Sequence, residues 1–195
     1  MTVGSEYSSN STNPDQIVNK IDPCFQNRCN SDQPMAEDSK LHPKSVLRDG
    51  GLQHLRDRWH EWRVGEALPL RPSFDPMEFP RQLSLMMMVE CVPQPNPLRG
   101  YDALIRYMGT GWVELFNAPW LTNTTLSALG EVYGERWLDL CDQIIAARKP
   151  IVVAGQPYQI DKDYLDFEIL GLPLSKTGET ADYLIMALAV LPRID

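Results

Sequence analysis

Histidine and cysteine are scarce in this sequence, and their scarcity narrows the chemistry that the chain can support. The 195 residues include three histidines and four cysteines. Cys24-x4-Cys29 followed by His42 resembles the start of a zinc finger, but the next histidine, His54, lies outside the usual gap of three to five residues. The cysteines are divided between polar and apolar segments, which is a poor layout for a disulfide framework. We expect reduced thiols and no metal site.

The motifs of several enzyme and nucleotide-binding classes are incomplete. Lys176-Thr177-Gly178 occurs in serine β-lactamases and transpeptidases, but no serine of this chain is followed three residues later by the lysine of their Ser-x-x-Lys motif. Gly109-x-Gly111 lacks the third glycine of a dinucleotide fingerprint, and a phosphate loop is absent. Asp139 and Asp142 have no nearby histidine for acid and base catalysis, and a solvated helix face explains them. We expect a protein that is not an enzyme.

An excess of positive charge and a long apolar run are also missing. The net charge of −8 repels a phosphate backbone, so nucleic acid is not an expected partner. The longest apolar run, residues 184–191, is far shorter than the roughly 20 residues that span a bilayer. The first ten residues lack the basic start and the apolar run of a secretory signal. We therefore expect a cytoplasmic protein without membrane insertion.

The sequence does contain one polar region and one apolar region. Residues 1–45 are rich in Ser, Asn, Asp, Gln and Pro, which predicts a disordered tail because so little apolar surface cannot offset the entropy of ordering. Residues 46–195 are predicted to form the folded domain. Its first helix is indicated by apolar residues at spacings of three and four: Leu52, Leu55, Trp59 and Trp62. If the sheet does not cover these four side chains, they are the expected dimer or partner surface.

The remaining apolar patterns predict one sheet with helices. Two strands are expected over 82–92 and 103–108, a short helix over 112–116 and a long helix between 122 and 149. Three more strands are expected over 151–160, 164–173 and 182–191. This order predicts an α+β fold: a five-stranded antiparallel sheet with helices on one face and an N-terminal amphipathic helix that can take the other.

Four motifs, together with this order of elements, resemble a known family. They are residues 59–65 of the first helix, Leu68-Pro69-x-Arg71-x-x-Phe74-Asp75-Pro76, Arg106-Tyr107-x-Gly109-Thr110 and Leu172-Pro173-Leu174-Ser175-x-x-Gly178. Over about residues 52–191 the chain resembles the PAS-like domains that are common as single-domain proteins in proteobacteria. Members often carry an Asp-Leu-Thr-Gly-like stretch after the short helix, whereas this chain has Asn123 where the glycine would stand.

The resemblance implies a regulatory domain with a small cavity between the sheet and the short helices, frequent dimer formation and no fixed cofactor. Haem-binding members use a histidine for the iron, but every histidine here precedes the expected sheet, and the Asn-Cys-Arg motif of flavin light sensors is absent. The resemblance places Tyr107, Trp112, Phe116 and Trp137 at the ligand pocket, although such residues are mostly core. We expect a stand-alone bacterial sensor domain that binds a small molecule or a partner protein, and that forms a homodimer or pairs with a signalling protein. The alternative is a constitutive protein-interaction module with a filled core and no ligand.

Overall fold

The computed structural model describes residues 41–94, 99–116, 121–155 and 165–192. Within these ranges the strands are β1 His42–Lys44, β2 Met86–Pro93, β3 Tyr101–Met108, β4 Ile151–Gly155, β5 Leu165–Leu174 and β6 Tyr183–Pro192. The α-helices are α1 Gly50–Trp62, α2 Thr110–Phe116 and α3 Glu131–Ala147. Short 3-10 turns cover Arg71–Ser73, Pro76–Glu78, Leu83–Leu85 and Leu126–Leu129. The predicted disordered tail lies outside the described residues, except for its last five.

The strands form one antiparallel sheet in the order β1-β4-β5-β6-β2-β3, as predicted for an α+β fold. The sheet has six strands instead of the predicted five, because His42–Lys44 pairs with β4 at one edge. No apolar alternation marks this short strand, since all three of its residues are exposed. Pro43 is tolerated there because an edge strand leaves one row of N–H groups unpaired.

Apolar side chains pack on both faces of the sheet. Helices α2 and α3 cover one face, which we call the α3 face, and α1 with the turns between residues 68 and 85 covers the other, which we call the α1 face. β5 supplies both cores: Phe167 and Ile169 point to the α3 face, whereas Leu170 and Leu172 point to the α1 face. A strand buried on both sides reads as a continuous apolar run, which explains the pattern of this part of the sequence.

Helix α1 begins at an N-cap and buries its apolar stripe inside the chain. The Asp49 carboxylate caps the helix by accepting a hydrogen bond of 2.8 Å from the Leu52 backbone N–H. Leu52, Leu55 and Trp59 are fully buried, and Trp62 is half-buried beside the same core. The sheet covers this stripe, so the condition under which it was predicted to be a partner surface is not met. Burial of each large side chain contributes about 1.5–3 kcal/mol to folding.

Candidate functional site

Aromatic rings meet on the α3 face, where the ligand pocket was predicted. Trp112 and Phe116 lie one turn apart on α2, Trp137 lies on α3 and Phe167 lies on β5. The centroids of Trp112, Phe116 and Trp137 are 5.2–5.4 Å from one another, and Phe116 meets Phe167 edge-on at 5.4 Å. Such pairs contribute about 0.5–1.5 kcal/mol each beyond their burial. We call these residues the aromatic cluster.

The sequence prediction named three members of the aromatic cluster and missed Phe167. The ring of Phe167 is fully buried within a strand whose residues 167–174 are all buried. An apolar residue in such a run gives no sign of which helix it will touch. Only the packing of β5 against α2 identifies Phe167 as a neighbour of Phe116.

Tyr107, the fourth predicted pocket residue, lies on the α1 face. Met88 pairs with Tyr107 while the next residue, Val89, pairs with Ile105, so Arg106 is an extra residue in β3. An extra residue in one strand reverses the alternation of side chains that follows it. Ile105 therefore packs in the core of the α3 face, and Tyr107 packs beside the core of the α1 face. The structure therefore places Tyr107 and Trp112 on opposite faces of the sheet, although the resemblance had placed both at the ligand pocket.

Tyr107 and Trp112 nevertheless hold the same turn, Leu83–Leu85. The Tyr107 hydroxyl donates a hydrogen bond of 2.8 Å to the Leu83 carbonyl oxygen, and Trp112 Nε1 donates one of 2.8 Å to the Leu85 carbonyl oxygen. Gly109 lies between them, and a Cβ there would be 2.5 Å from the Leu83 carbonyl oxygen. The motif Arg106-Tyr107-x-Gly109-Thr110 therefore encodes a docking surface for this turn.

Two other motifs also bind each other. The Ser175 N–H donates to the Pro69 carbonyl oxygen over 2.8 Å, and the Arg71 N–H donates to the Ser175 carbonyl oxygen over 2.7 Å. The Leu68 N–H donates to the carbonyl oxygen of Gly178 over 2.9 Å. Gly178 has a φ of 93°, which favours glycine because it has no Cβ. The turn after β5 is thereby fixed to the segment that follows α1.

A protein-family model identifies the family of this chain. The family model described as PAS domain matches residues 48–189, which is more than half of the chain. The chain belongs to the PAS domain family. The matched region contains all the motifs that carried the resemblance, and it confirms the family expected from the sequence. No curated protein matches the chain.

A charged group lies where β2, β3 and the turn before β6 meet in this PAS domain. The Glu90 carboxylate accepts hydrogen bonds from Lys176 Nζ at 2.8 Å and from Arg106 Nε at 2.7 Å. The Lys176 hydrogen bond, with help from Arg106, lowers the pKa of Glu90 to about 2. The centroid of the Tyr183 ring is 5.3 Å from the Lys176 ammonium and 5.9 Å from the Arg71 guanidinium. A carboxylate held ionised in this way acts as a structural anion and not as a general acid.

Arg99, two residues before β3, binds helix α3 of the PAS domain. Its guanidinium donates to Asp142 at 2.7 Å and to Glu135 and Asp139 at 2.6 Å each. Asp142 also accepts a hydrogen bond of 2.6 Å from the Tyr101 hydroxyl, whose pKa is raised by burial. Asp139 and Asp142, interpreted as a solvated helix face, do keep their side chains exposed to solvent, and they also bind this arginine. The spacing of Glu135, Asp139 and Asp142, four and three residues apart, is the sequence signal for a shared partner.

The cysteines of the described part of the PAS domain are free and shielded. Cys141 is fully buried on α3, as expected for a small core residue, and Cys91 is half-buried on β2. Burial raises the pKa of the Cys91 thiol to about 12 and that of Cys141 well above its ordinary value. Because the thiolate is the reactive form, both side chains act as packing groups at neutral pH.

Metal-binding groups and membrane-spanning helices are both absent from the described ranges. No group of three or more His, Cys, Asp or Glu side chains there is arranged to hold a metal ion. Among the helices of these ranges, none has the length and apolar character needed to cross a membrane.

Proposed function

We propose that this chain is a non-catalytic regulatory PAS domain of cytoplasmic signalling in a bacterium, and that a small, flat, apolar ligand binds at its aromatic cluster. The observation that carries the proposal is the position of Phe116. Its half-buried ring ends α2 and contacts Trp112, Trp137 and Phe167. These neighbours belong to three different elements, so the Phe116 ring occupies the point where α2, α3 and the sheet converge.

Binding would proceed by exchange of the Phe116 ring for the ligand. A flat ligand can keep the edge-on contacts that Trp137 and Phe167 now make with Phe116. Apolar ligand sites in proteins are concave and lined mainly by such rings. Because Phe116 is the last residue of α2, its departure would alter the end of this helix, and hence the surface offered to a second copy of the chain or to a signalling protein. The ligand would shift this equilibrium by its difference in affinity for the two arrangements.

The second candidate is a constitutive protein-interaction module. It is favoured by the mutual contacts of the rings, because Trp112, Phe116 and Trp137 already pack against one another with centroid distances of 5.2–5.4 Å. In that case the cluster is core, and its substitution changes stability without changing any binding property.

Native mass spectrometry of the full chain purified from its natural host separates the two candidates. A stoichiometric small molecule that is released on denaturation supports the sensor, and its mass gives its chemical class. A mass that corresponds to the ligand-free chain alone, as a monomer or as a dimer, supports the interaction module.

A matched pair of variants tests the site itself. Trp137→Phe removes ring surface from the aromatic cluster, whereas Tyr101→Phe removes one hydroxyl group outside the cluster, which binds Asp142 of α3. If the ligand lies in the cluster, Trp137→Phe lowers its occupancy at least roughly tenfold, and Tyr101→Phe leaves the occupancy unchanged. Equal occupancy in both variants would place the ligand elsewhere.

A further inference from the structure

Aromatic side chains form a second group on the α1 face, opposite the aromatic cluster. Phe79 stacks on Phe74 at 5.9 Å, and Trp62 meets both rings edge-on at 6.0–6.2 Å. His54 of α1 lies 5.7 Å from Phe79. This second group, which we call the outer cluster, anchors helix α1 to the turns that follow it.

One short segment, residues 79–85, runs between the two clusters, and we call it the connector. It begins with Phe79 in the outer cluster and folds back on itself by hydrogen bonds. Leu83 N–H donates to the Phe79 carbonyl oxygen over 3.2 Å, and Leu85 N–H donates to the Gln82 carbonyl oxygen over 2.8 Å. At its far end, the Leu85 carbonyl oxygen accepts the hydrogen bond of 2.8 Å from Trp112 in the aromatic cluster. The connector therefore contacts both clusters directly.

The connector has little freedom to absorb a displacement. Tyr107 binds the Leu83 carbonyl oxygen from the α1 face at 2.8 Å. Gly109 lies against the backbone of Leu83 and Ser84 so closely that even a Cβ would not fit. Packed elements with fixed hydrogen bonds move as units instead of deforming continuously.

We propose that the connector couples the two faces of the sheet: a change in the position of Trp112 moves the Leu83–Leu85 turn and, through Phe79, the Trp62 ring on α1. This coupling goes beyond the function proposed above, because it requires no ligand and holds for either candidate. By linkage it acts equally in both directions, so a change on the α1 face also reaches Trp112. An event at the aromatic cluster would then be read out at helix α1.

The five tryptophans of the chain give five indole N–H signals by which nitrogen-15 NMR can test the coupling. Trp112→Phe removes the donor to Leu85 and keeps an aromatic ring. Its control, Trp137→Phe, removes a similar ring area from the same cluster and leaves that hydrogen bond in place. We expect the Trp62 signal to shift in Trp112→Phe and to stay in place in Trp137→Phe. We also expect the Leu83 and Leu85 amides to exchange roughly fivefold faster in Trp112→Phe, because one hydrogen bond of the connector is lost.

The reverse direction is tested by a milder variant, which loses a single hydroxyl group and which we expect to fold. Tyr107→Phe removes only the hydroxyl that binds Leu83, and Tyr101→Phe removes the matching hydroxyl elsewhere on β3. We expect the Trp112 indole signal to shift in Tyr107→Phe and not in Tyr101→Phe.

Two outcomes would overturn the coupling. One is a shift of the Trp112 signal that is equal in Tyr107→Phe and Tyr101→Phe, and the other is a Trp62 signal that responds no more to Trp112→Phe than to Trp137→Phe. Neither result depends on whether a ligand exists, so evidence against the coupling is separate from evidence against the proposed sensor function.

Discussion

Trp59 of the first helix donates an indole hydrogen bond of 2.8 Å to the carbonyl oxygen of Pro173 in β5. The two residues are 114 positions apart in the sequence, and both are fully buried. This bond attaches α1 to the centre of the sheet. Because Pro173 belongs to the fourth motif and Trp59 to the first, it also joins two of the motifs by which the family was identified.

Trp59→Phe should therefore destabilise the fold without abolishing it. The variant leaves the Pro173 carbonyl oxygen without this donor and loses part of a buried ring, so we expect the free energy of unfolding to fall by about 1–3 kcal/mol. Urea denaturation followed by circular dichroism measures this loss. Trp62→Phe, at a half-buried position of the same helix, serves as the control and should cost clearly less. Equal losses would mean that the hydrogen bond to Pro173 contributes nothing measurable.

Gly109→Ala should be among the most damaging of the small substitutions in this chain. The added Cβ would enter the backbone of Leu83 and Ser84, so the turn must move away, and we expect a loss of about 3 kcal/mol. Thermal or urea unfolding gives the value. Gly50→Ala makes the same chemical change at the first residue of α1, where a Cβ meets nothing within 4 Å. That control should be neutral or stabilise the chain by up to about 1 kcal/mol, and two equally harmful variants would argue against a tight contact at Gly109.

The ion pairs of Glu90 predict a dependence of stability on acid pH. The pKa of Glu90 in the folded chain is about 2, below its ordinary value of 4.5, mainly because of the Lys176 hydrogen bond. Its stabilising effect is therefore complete above pH 4.5 and is lost as the pH falls from 4.5 toward 2. Between these pH values the unfolding temperature of the wild type should fall more steeply than that of Glu90→Gln.

Glu66→Gln is the matched control for Glu90. Glu66 pairs with Arg63 at 2.8 Å, but its side chain is 100% exposed, and an exposed pair contributes little. Its pH profile should follow that of the wild type. If Glu90→Gln also followed the wild type, the ion pairs with Lys176 and Arg106 would not stabilise the fold.

The half-buried Cys91 and the fully buried Cys141 should react with thiol reagents far more slowly in the native chain than in the unfolded chain. In a chain that carries Cys24→Ser and Cys29→Ser, Cys91 and Cys141 remain, and both have a raised pKa because of burial. We expect their labelling at pH 8 to be at least roughly a hundredfold slower than in denaturant, measured by mass spectrometry. Rapid labelling of Cys141 in the native chain would contradict its position in the core.

The sequence allowed the sheet to be predicted well where strands are apolar and poorly where they are not. β5 and β6 stand out because their buried residues form continuous runs. β1 does not, because an exposed edge strand with Pro43 has no apolar face to reveal it. The predicted strand over 82–92 begins too early, since Leu83–Leu85 is a turn and β2 starts at Met86. The apolar residues of this turn are as compatible with a buried turn at the end of a sheet as with a strand.

The candidate site was predictable in its residue types and only partly in its geometry. Trp112, Phe116 and Trp137 come together because α2 and α3 share one face of the sheet. Tyr107 does not join them, because the extra residue Arg106 in β3 reverses the alternation, and no residue type in that strand signals such an insertion. The apolar stripe of α1 fits an interface between chains as well as a core within one chain, and only the contacts with β5 and β6 decide between them.

The contacts among the four motifs have a consequence for how relatives of this chain should be compared. Trp59 binds Pro173 and Arg71 binds Ser175, so these motifs contact one another. Tyr107 and Gly109 of the remaining motif contact the backbone of the Leu83–Leu85 turn. Phe116, Trp137 and Phe167 lie outside all of them. Two proteins that share these motifs can therefore be expected to have the same joints between their elements and yet to surround the end of α2 with quite different side chains. Under the proposed function, differences in ligand preference within such a group should follow positions 116, 137 and 167, which lie outside the shared motifs.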